Sequence, residues 1–267
     1  MRQLILENHS IKNGTILLES KDFKYLRQIL RVKVGDMINI RLNGELQSST
    51  VASIDDKTKK IILQICANPS KDKSITRGVQ ATQTSKILNN REYWLFQFIP
   101  RPQKFEQIVR QSTECGISVI VPIIGEYSEK SSVLALQGNK KERLEKIVKE
   151  ARQQSGSPIE TKVFSPMTLE AALSIWENNE KNLGIVLSER NENSENLKNQ
   201  IIKSNFEKIC IAVGCEGGIS PNEMQILTKN KLFHPVHFAV NILRCETAAL
   251  YGIAAIQSGF EICDLEK

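Results

Sequence analysis

Apolar residues recur at two different spacings along this chain, and the switch between them marks its organisation. As far as about residue 68 the dominant spacing is two. Asp36–Leu42, Gln47–Ile54 and Lys60–Cys66 read as strands, separated by turn signals at Val34-Gly35-Asp36 and Asn43-Gly44. Ahead of them Phe23, Leu26, Ile29 and Leu30 fall at helical spacing and predict one short helix. A small N-terminal β-barrel over residues 1–70 is the expected result. From Asn68 to Arg91 the chain turns polar and predicts no element. Beyond it Trp94–Ile99, Ile117–Ile124, Leu183–Leu187, Ile209–Val213 and Val236–Val240 are short apolar runs of the buried-strand type. Lys104–Cys115 is amphipathic, with Gly116 as its stop signal. Lys140–Gln154 presents Leu144, Ile147, Val148 and Ala151 as one stripe, and a last helix is expected over Glu246–Ile262. Strands alternating with helices predict a parallel α/β sheet flanked by helices over residues 71–267.

Composition narrows this picture only a little. A length of 267 residues suits one large or two modest domains, and 40% apolar residues suffice for real cores. The net charge of +6 is compatible with a polyanionic partner without requiring one. No apolar run approaches the roughly 20 residues of a membrane helix, and MRQLILENHS meets polar residues too early for a signal peptide. A cytoplasmic protein away from membranes is therefore expected. The six cysteines are scattered without a CxxC pair, which fits reduced thiols. His234 and His237, split by a proline, are read as structural, because no cysteine or carboxylate completes a metal site.

Two segments carry candidate chemistry. In the first, an apolar strand ending at Val213 enters a turn with Gly214, Gly217 and Gly218. A helix then opens with Ser220 as N-cap, Pro221 at its first position and Glu223 closing a capping box. Glycines there let backbone N–H groups approach a ligand at a strand's C-terminal end, and a plain strand-to-helix turn would look the same. In the second, Arg244, Glu246 and Thr247 stand between an apolar run and an alanine-rich helix. Taken alone, Arg244 and Glu246 read as a structural ion pair at a helix start.

Read together, these segments resemble the RsmE family of SPOUT RNA methyltransferases. VGCEGGISPNE (Val213–Glu223) is similar to the family's IGPEGGFSPEE, and ILRCETAA (Ile242–Ala249) to its ILRTETAA. Gln97–Ile123 resembles the KGDKMExIIQKATELGVSxIVP region. Glu150-Ala151 with Gln154-Ser155-Gly156 resembles EAAEQSGR, and LRVKVGD (Leu30–Asp36) resembles LRLKVGD. The matches keep their order over nearly the whole chain. The departures are Cys215 for the proline of GPEGG, Phe238, Ala239 and Asn241 within LGxRILR, Ser157 for the arginine of QSGR, and Lys130 for that of SERS.

The resemblance implies a PUA-like N-terminal barrel and a C-terminal SPOUT α/β domain with a deep trefoil knot, acting as a homodimer. It implies S-adenosyl-L-methionine (SAM) held by Leu187 and Ser188, by Val213, Gly214, Glu216, Gly217 and Gly218, and by Phe238, Ala239, Asn241, Ile242 and Leu243. It implies methylation of uridine N3 in small-subunit (16S) ribosomal RNA, with Arg244 and Glu246 as catalytic residues. N3 lies on the pairing edge, so the base must be unpaired or extruded, and its weakly acidic proton must leave. Methyl transfer calls for no metal. Lys24, Arg27 and Arg31 share a face at helical spacing and stand with Lys33 in a basic run, a solvated face by default. Beside a barrel of RNA-binding type they become phosphate contacts, with Lys104 as a further RNA contact. The competing reading is a non-catalytic RNA-binding or ribosome-assembly factor on the same fold.

Overall fold

Asn43 and Gly44 both sit in the left-handed region, with φ of 49° and 85°. That is the geometry of the two-residue hairpin turn their dipeptide predicts. They join β3 (Met37–Leu42) to β4 (Glu45–Asp55) with Leu42 opposite Glu45. The computed structural model describes residues 3–7, 9–66, 91–137, 140–177, 179–189, 197–202, 206–229 and 232–265. The polar stretch after Asn68 lies outside them, apart from Arg91. The chain divides into two compact units, Met1–Val79 with Gln153–Gly156, and Gln80–Arg152 with Ser157–Lys267.

The first unit is a five-stranded sheet in the order β1-β3-β4-β5-β2, with β1 (Gln3–Leu6), β2 (Thr15–Leu18) and β5 (Lys60–Ile65) completing it. β1 runs parallel to β3, and the other pairs are antiparallel. Alternating inward residues such as Ile38, Ile40, Val51, Ile61 and Leu63 make its core. β1 and β2 escape a periodicity reading because four apolar-rich residues each are too short to show a period.

The basic segment departs from the expected helix. α1 (Ser20–Lys24) passes into a π-helical turn, Tyr25–Ile29, closed by Leu30 N–H to the Tyr25 carbonyl at 3.0 Å. The wider turn carries Ile29 outward, 64% exposed, where helical spacing put it inside. Arg31 then takes φ of 53° and ends the helix, so it cannot share a helical face with Lys24 and Arg27.

The second unit is a parallel sheet of order β11-β9-β10-β6-β7-β8. In chain order its members are β6 (Glu92–Phe98), α2 (Pro102–Glu114), β7 (Val119–Ile123), α3 (Lys130–Leu136), α4 (Lys140–Ser155), β8 (Lys162–Val163), α5 (Leu169–Ile175), β9 (Asn182–Leu187), α6 (Leu197–Ile202), β10 (Lys208–Val213), α7 (Pro221–Thr228), β11 (His234–Val236) and α8 (Cys245–Leu265). One face packs Phe105, Ile108 and Val109 of α2, Leu144, Ile147 and Val148 of α4, and Ile253 and Ile256 of α8. The other packs Leu169 and Ala172 of α5 and Leu227 of α7 around Phe96 and Trp176. Burial on both faces explains why these strands read as unbroken apolar runs. β11 is shorter than the expected Val236–Val240 strand and ends where that run begins. Among the described residues it pairs with β9 alone, an edge position that tolerates Pro235, and its partner stops at Leu187. Among the described residues no helix is long and apolar enough to cross a membrane.

Candidate functional site

The site is assembled at the C-terminal ends of β9, β10 and β11, where parallel α/β sheets characteristically bind ligands. After β10 the chain makes a tight turn with Gly218 N–H bonded to the Cys215 carbonyl at 3.0 Å, and Gly218 sits at φ 79°. A Cβ on Gly214 would come within 2.6 Å of the Gly218 backbone, and one on Gly217 within 2.9 Å of the Tyr127 side chain. Both ends of the turn are pinned. Buried Gln97 donates through Nε2 to the carbonyls of Val213 (3.3 Å) and Gly214 (3.0 Å). Ser220 and Glu223 form the expected capping box of α7, and Glu223 also accepts the Glu126 N–H at 2.7 Å.

The other two loops are tied to each other. Ser188 N–H donates to the Val236 carbonyl at 2.9 Å, and the Ser188 carbonyl lies 3.1 Å from His237 Nδ1, which must therefore carry the proton. Phe238 rests edge-on against Tyr251 of α8, centroids 5.1 Å apart. The Arg244 carbonyl accepts from Thr247 (2.9 Å) and Ala248 (2.7 Å) and so opens α8. Between the loops lies a cavity of about 830 Å³, within the few hundred to a thousand Å³ of small-molecule sites.

One charged cluster stands at its wall. The Lys104 ammonium, from α2, lies 3.4 Å from Glu216 Oε1 and 3.3 Å from Glu246 Oε2. Burial works against the charge on Lys104, but the Glu246 and Glu216 carboxylates outweigh it and raise its pKa above the ordinary lysine value. Burial also lifts the Glu246 carboxyl. Its own backbone N–H, the Cys245 thiol and the Lys104 ammonium prevail, and hold it below the usual carboxylate value. The Cys245 thiol, pushed up to about 12 by burial first and its bond to Glu246 second, is a neutral donor at ordinary pH. Arg244 lines the cavity, and no ion pair or hydrogen bond engages its guanidinium among the described residues.

Residues 88–257, more than half of the chain, match the model of the RNA methyltransferase domain. The chain belongs to the RNA methyltransferase family. The likeness to individual methyltransferases runs over the full length. Ribosomal RNA small subunit methyltransferase E of Rickettsia conorii is 28% identical over 258 residues, covering 96% of this chain and 94% of that protein. Ribosomal RNA small subunit methyltransferase E 2 of Borreliella burgdorferi is 27% identical over 273 residues, covering 98% of each. In structure, the Ribosomal RNA small subunit methyltransferase E of Neisseria gonorrhoeae, crystallised with S-adenosyl methionine, gives a TM-score of 0.72 at 23% identity and covers 97% of both chains. The resemblance to the RsmE family read from the sequence therefore holds, and the shared fold spans both units.

Within the methyltransferase domain the structure gathers nearly every residue that sequence assigned to the cofactor. Leu187, Ser188, Val213, Gly214, Glu216, Gly217, Gly218, Phe238, Asn241, Ile242 and Leu243 all line the cavity, and Ala239 does not. Arg244 lines it, whereas Glu246 turns toward Lys104 and stays off the wall. The ion pair between Arg244 and Glu246 that a sequence reading favours is replaced by the pair of Glu246 with Lys104. Lys104 itself, expected at RNA, points its ammonium into this cluster. Tyr127, Glu189, His237 and Cys245 also line the cavity and were not foreseen. Glu189, His237 and Cys245 adjoin residues already assigned to the site, whereas Tyr127 comes from a distant segment that only the fold brings in.

In the first unit the basic run is partly committed. Arg27 donates to Asp56 through Nε (2.9 Å) and Nη2 (2.8 Å). Lys24, Arg31 and Lys33 are exposed, with their backbones in an α-turn, a left-handed residue and a loop. Among the described residues no three metal-binding side chains cluster.

Proposed function

We propose that this chain is a cytoplasmic, SAM-dependent methyltransferase that methylates N3 of a uridine in small-subunit (16S) ribosomal RNA. The observation that carries this reading is the cavity at the strand ends of an RNA methyltransferase domain, walled by backbone rather than by bulky side chains at Gly214, Gly217 and Gly218. A wall of turn N–H and carbonyl groups suits a ligand with hydroxyls and a heterocyclic edge, and the volume suits a bent nucleoside cofactor. Leu187, Ser188, the Val213–Gly218 turn and Phe238–Leu243 would hold it. When bound, SAM supplies an electrophilic methyl on its sulfonium.

The chain's own residues must then orient N3 toward that methyl and ease loss of its proton. Arg244 is the cation on the cavity wall with no anionic partner among the described residues. It stabilises the negative charge that grows on the uracil carbonyls as the proton leaves. Glu246 is engaged by Lys104 and supports the wall, so the N3 proton passes to solvent water. Mapping methylated uridines in ribosomal RNA from a strain without the protein tests the assignment.

The three loops are the trefoil knot of the SPOUT fold, a rare departure from unknotted topology. Residues 1–70 are a PUA-like RNA-binding barrel and residues 71–267 the knotted methyltransferase domain. The sheet order, with β10 between β6 and β9 and the loops after β9, β10 and β11 gathered, supports this. In the barrel Lys24, Arg31 and Lys33 bind phosphate, with Arg27 held by Asp56. Changing Lys24, Arg31 and Lys33 together to alanine weakens RNA binding and lowers its salt slope by about 0.7 to 0.9 for each phosphate no longer neutralised. Calorimetry then finds SAM affinity unchanged. RNA binding at full strength and slope would reduce the segment to a solvated face.

The methyltransferase is a homodimer. The apolar face of α2 is used up in the core, so the two-fold surface comes from exposed Ile242 (79%), Ile262 (54%) and Tyr251 (41%). Light scattering gives twice the chain mass of 30.1 kDa, and a single-chain mass would overturn the dimer.

A further inference from the structure

Glu216 belongs to the glycine turn and Glu246 to the first turn of α8, and Lys104 reaches both from α2. Two carboxylates this close to one ammonium would repel each other in its absence. Each has a second anchor. Glu216 Oε1 accepts the Arg101 backbone N–H at 3.2 Å, immediately before α2, and Glu246 Oε2 accepts from the Cys245 thiol at 3.3 Å. Arg244 directly precedes this pair, and its carbonyl starts α8. The cluster thus joins the cavity's glycine turn to the helix start that presents the proposed catalytic arginine.

We propose that Lys104 is a positioning residue, which by bridging Glu216 and Glu246 sets the separation of the glycine turn from the start of α8 and so the placing of Arg244. This rests on the cavity's being the SAM site. The charge of Lys104 is directed inward, so it is not an RNA contact, against the expectation from sequence. Loss of the ammonium leaves Glu246 facing burial and the negative Glu216 with only its own N–H and the Cys245 thiol to hold it ionised. Its titration then moves up, and the acid limb of turnover with it.

The test compares Lys104→Met and Lys104→Arg, using calorimetry with SAM, methyl transfer to small-subunit ribosomal RNA, and RNA binding across salt concentrations. Lys104→Met lowers turnover and SAM affinity by about tenfold or more, the scale of one charged hydrogen bond. Its acid limb moves to higher pH, while RNA affinity and salt slope hold. Lys104→Arg, which keeps a cation between the carboxylates, recovers most of the loss and returns the limb. If Lys104→Met keeps turnover and SAM affinity but loses RNA affinity, with the salt slope reduced by about one, Lys104 is a phosphate contact and the proposal fails. Loss of activity with an unmoved acid limb and no recovery in Lys104→Arg means mere packing, and the proposal fails equally. Wild-type protein that binds no SAM would overturn the cavity's assignment itself, an outcome distinct from either.

Discussion

Arg244→Ala is expected to lower turnover by about 100-fold or more, the usual cost of removing one preorganised stabiliser of transition-state charge. SAM affinity changes little and the melting temperature holds. The stability expectation has a local cause: the guanidinium has no partner among the described residues, and it is the Arg244 carbonyl, retained in alanine, that accepts the Thr247 and Ala248 N–H groups. Raising the pH partly restores the variant, because ionised N3 is then populated without the guanidinium's help. A purely structural arginine would behave differently, with a lower melting temperature and turnover falling only with the folded fraction. Normal single-turnover rates in a stable Arg244→Ala protein would remove Arg244 from the chemistry.

The second large effect is expected at the glycine turn, where Gly217→Val and Gly218→Val fail for different reasons. At Gly218 the obstacle is conformational. Its φ of 79° lies where a β-branched residue is strained by about 1–3 kcal/mol. At Gly217 the obstacle is steric, since even a Cβ would stand 2.9 Å from the Tyr127 side chain. Both substitutions push the turn into the cavity or the loop away from it, and SAM affinity should drop by about 10- to 100-fold while circular dichroism stays native. A folded valine variant with wild-type affinity would move the cofactor site away from this turn.

Much of this architecture was legible in the sequence because the relevant physics is local. The Asn43-Gly44 hairpin, the Ser220–Glu223 capping box and the doubly buried strands each declare themselves within a few residues. The glycine turn read equally as a ligand cradle or a tight turn, and the family resemblance together with the cavity favours the cradle. Legibility failed where structure depends on partners far away in the chain. Helical spacing placed Ile29 inside and aligned Arg31 with Lys24, but a π turn and a left-handed residue break that register. The apolar run after Val236 suggests strand, yet β9 ends at Leu187 and no strand among the described residues pairs with the rest of that run. Arg244 and Glu246, neighbours in sequence, looked like an ion pair, whereas Glu246 takes its cation from α2. Lys104 had the composition of an RNA contact, and only the fold sets its ammonium between two carboxylates.

The most direct test of the central claim is mass-spectrometric mapping of methylated uridines in ribosomal RNA from a strain lacking the protein. One N3-methyluridine is expected to disappear from the small-subunit RNA and to return when the wild-type chain, but not Arg244→Ala, is restored. An unchanged pattern of methylation in the absence of the protein would contradict it.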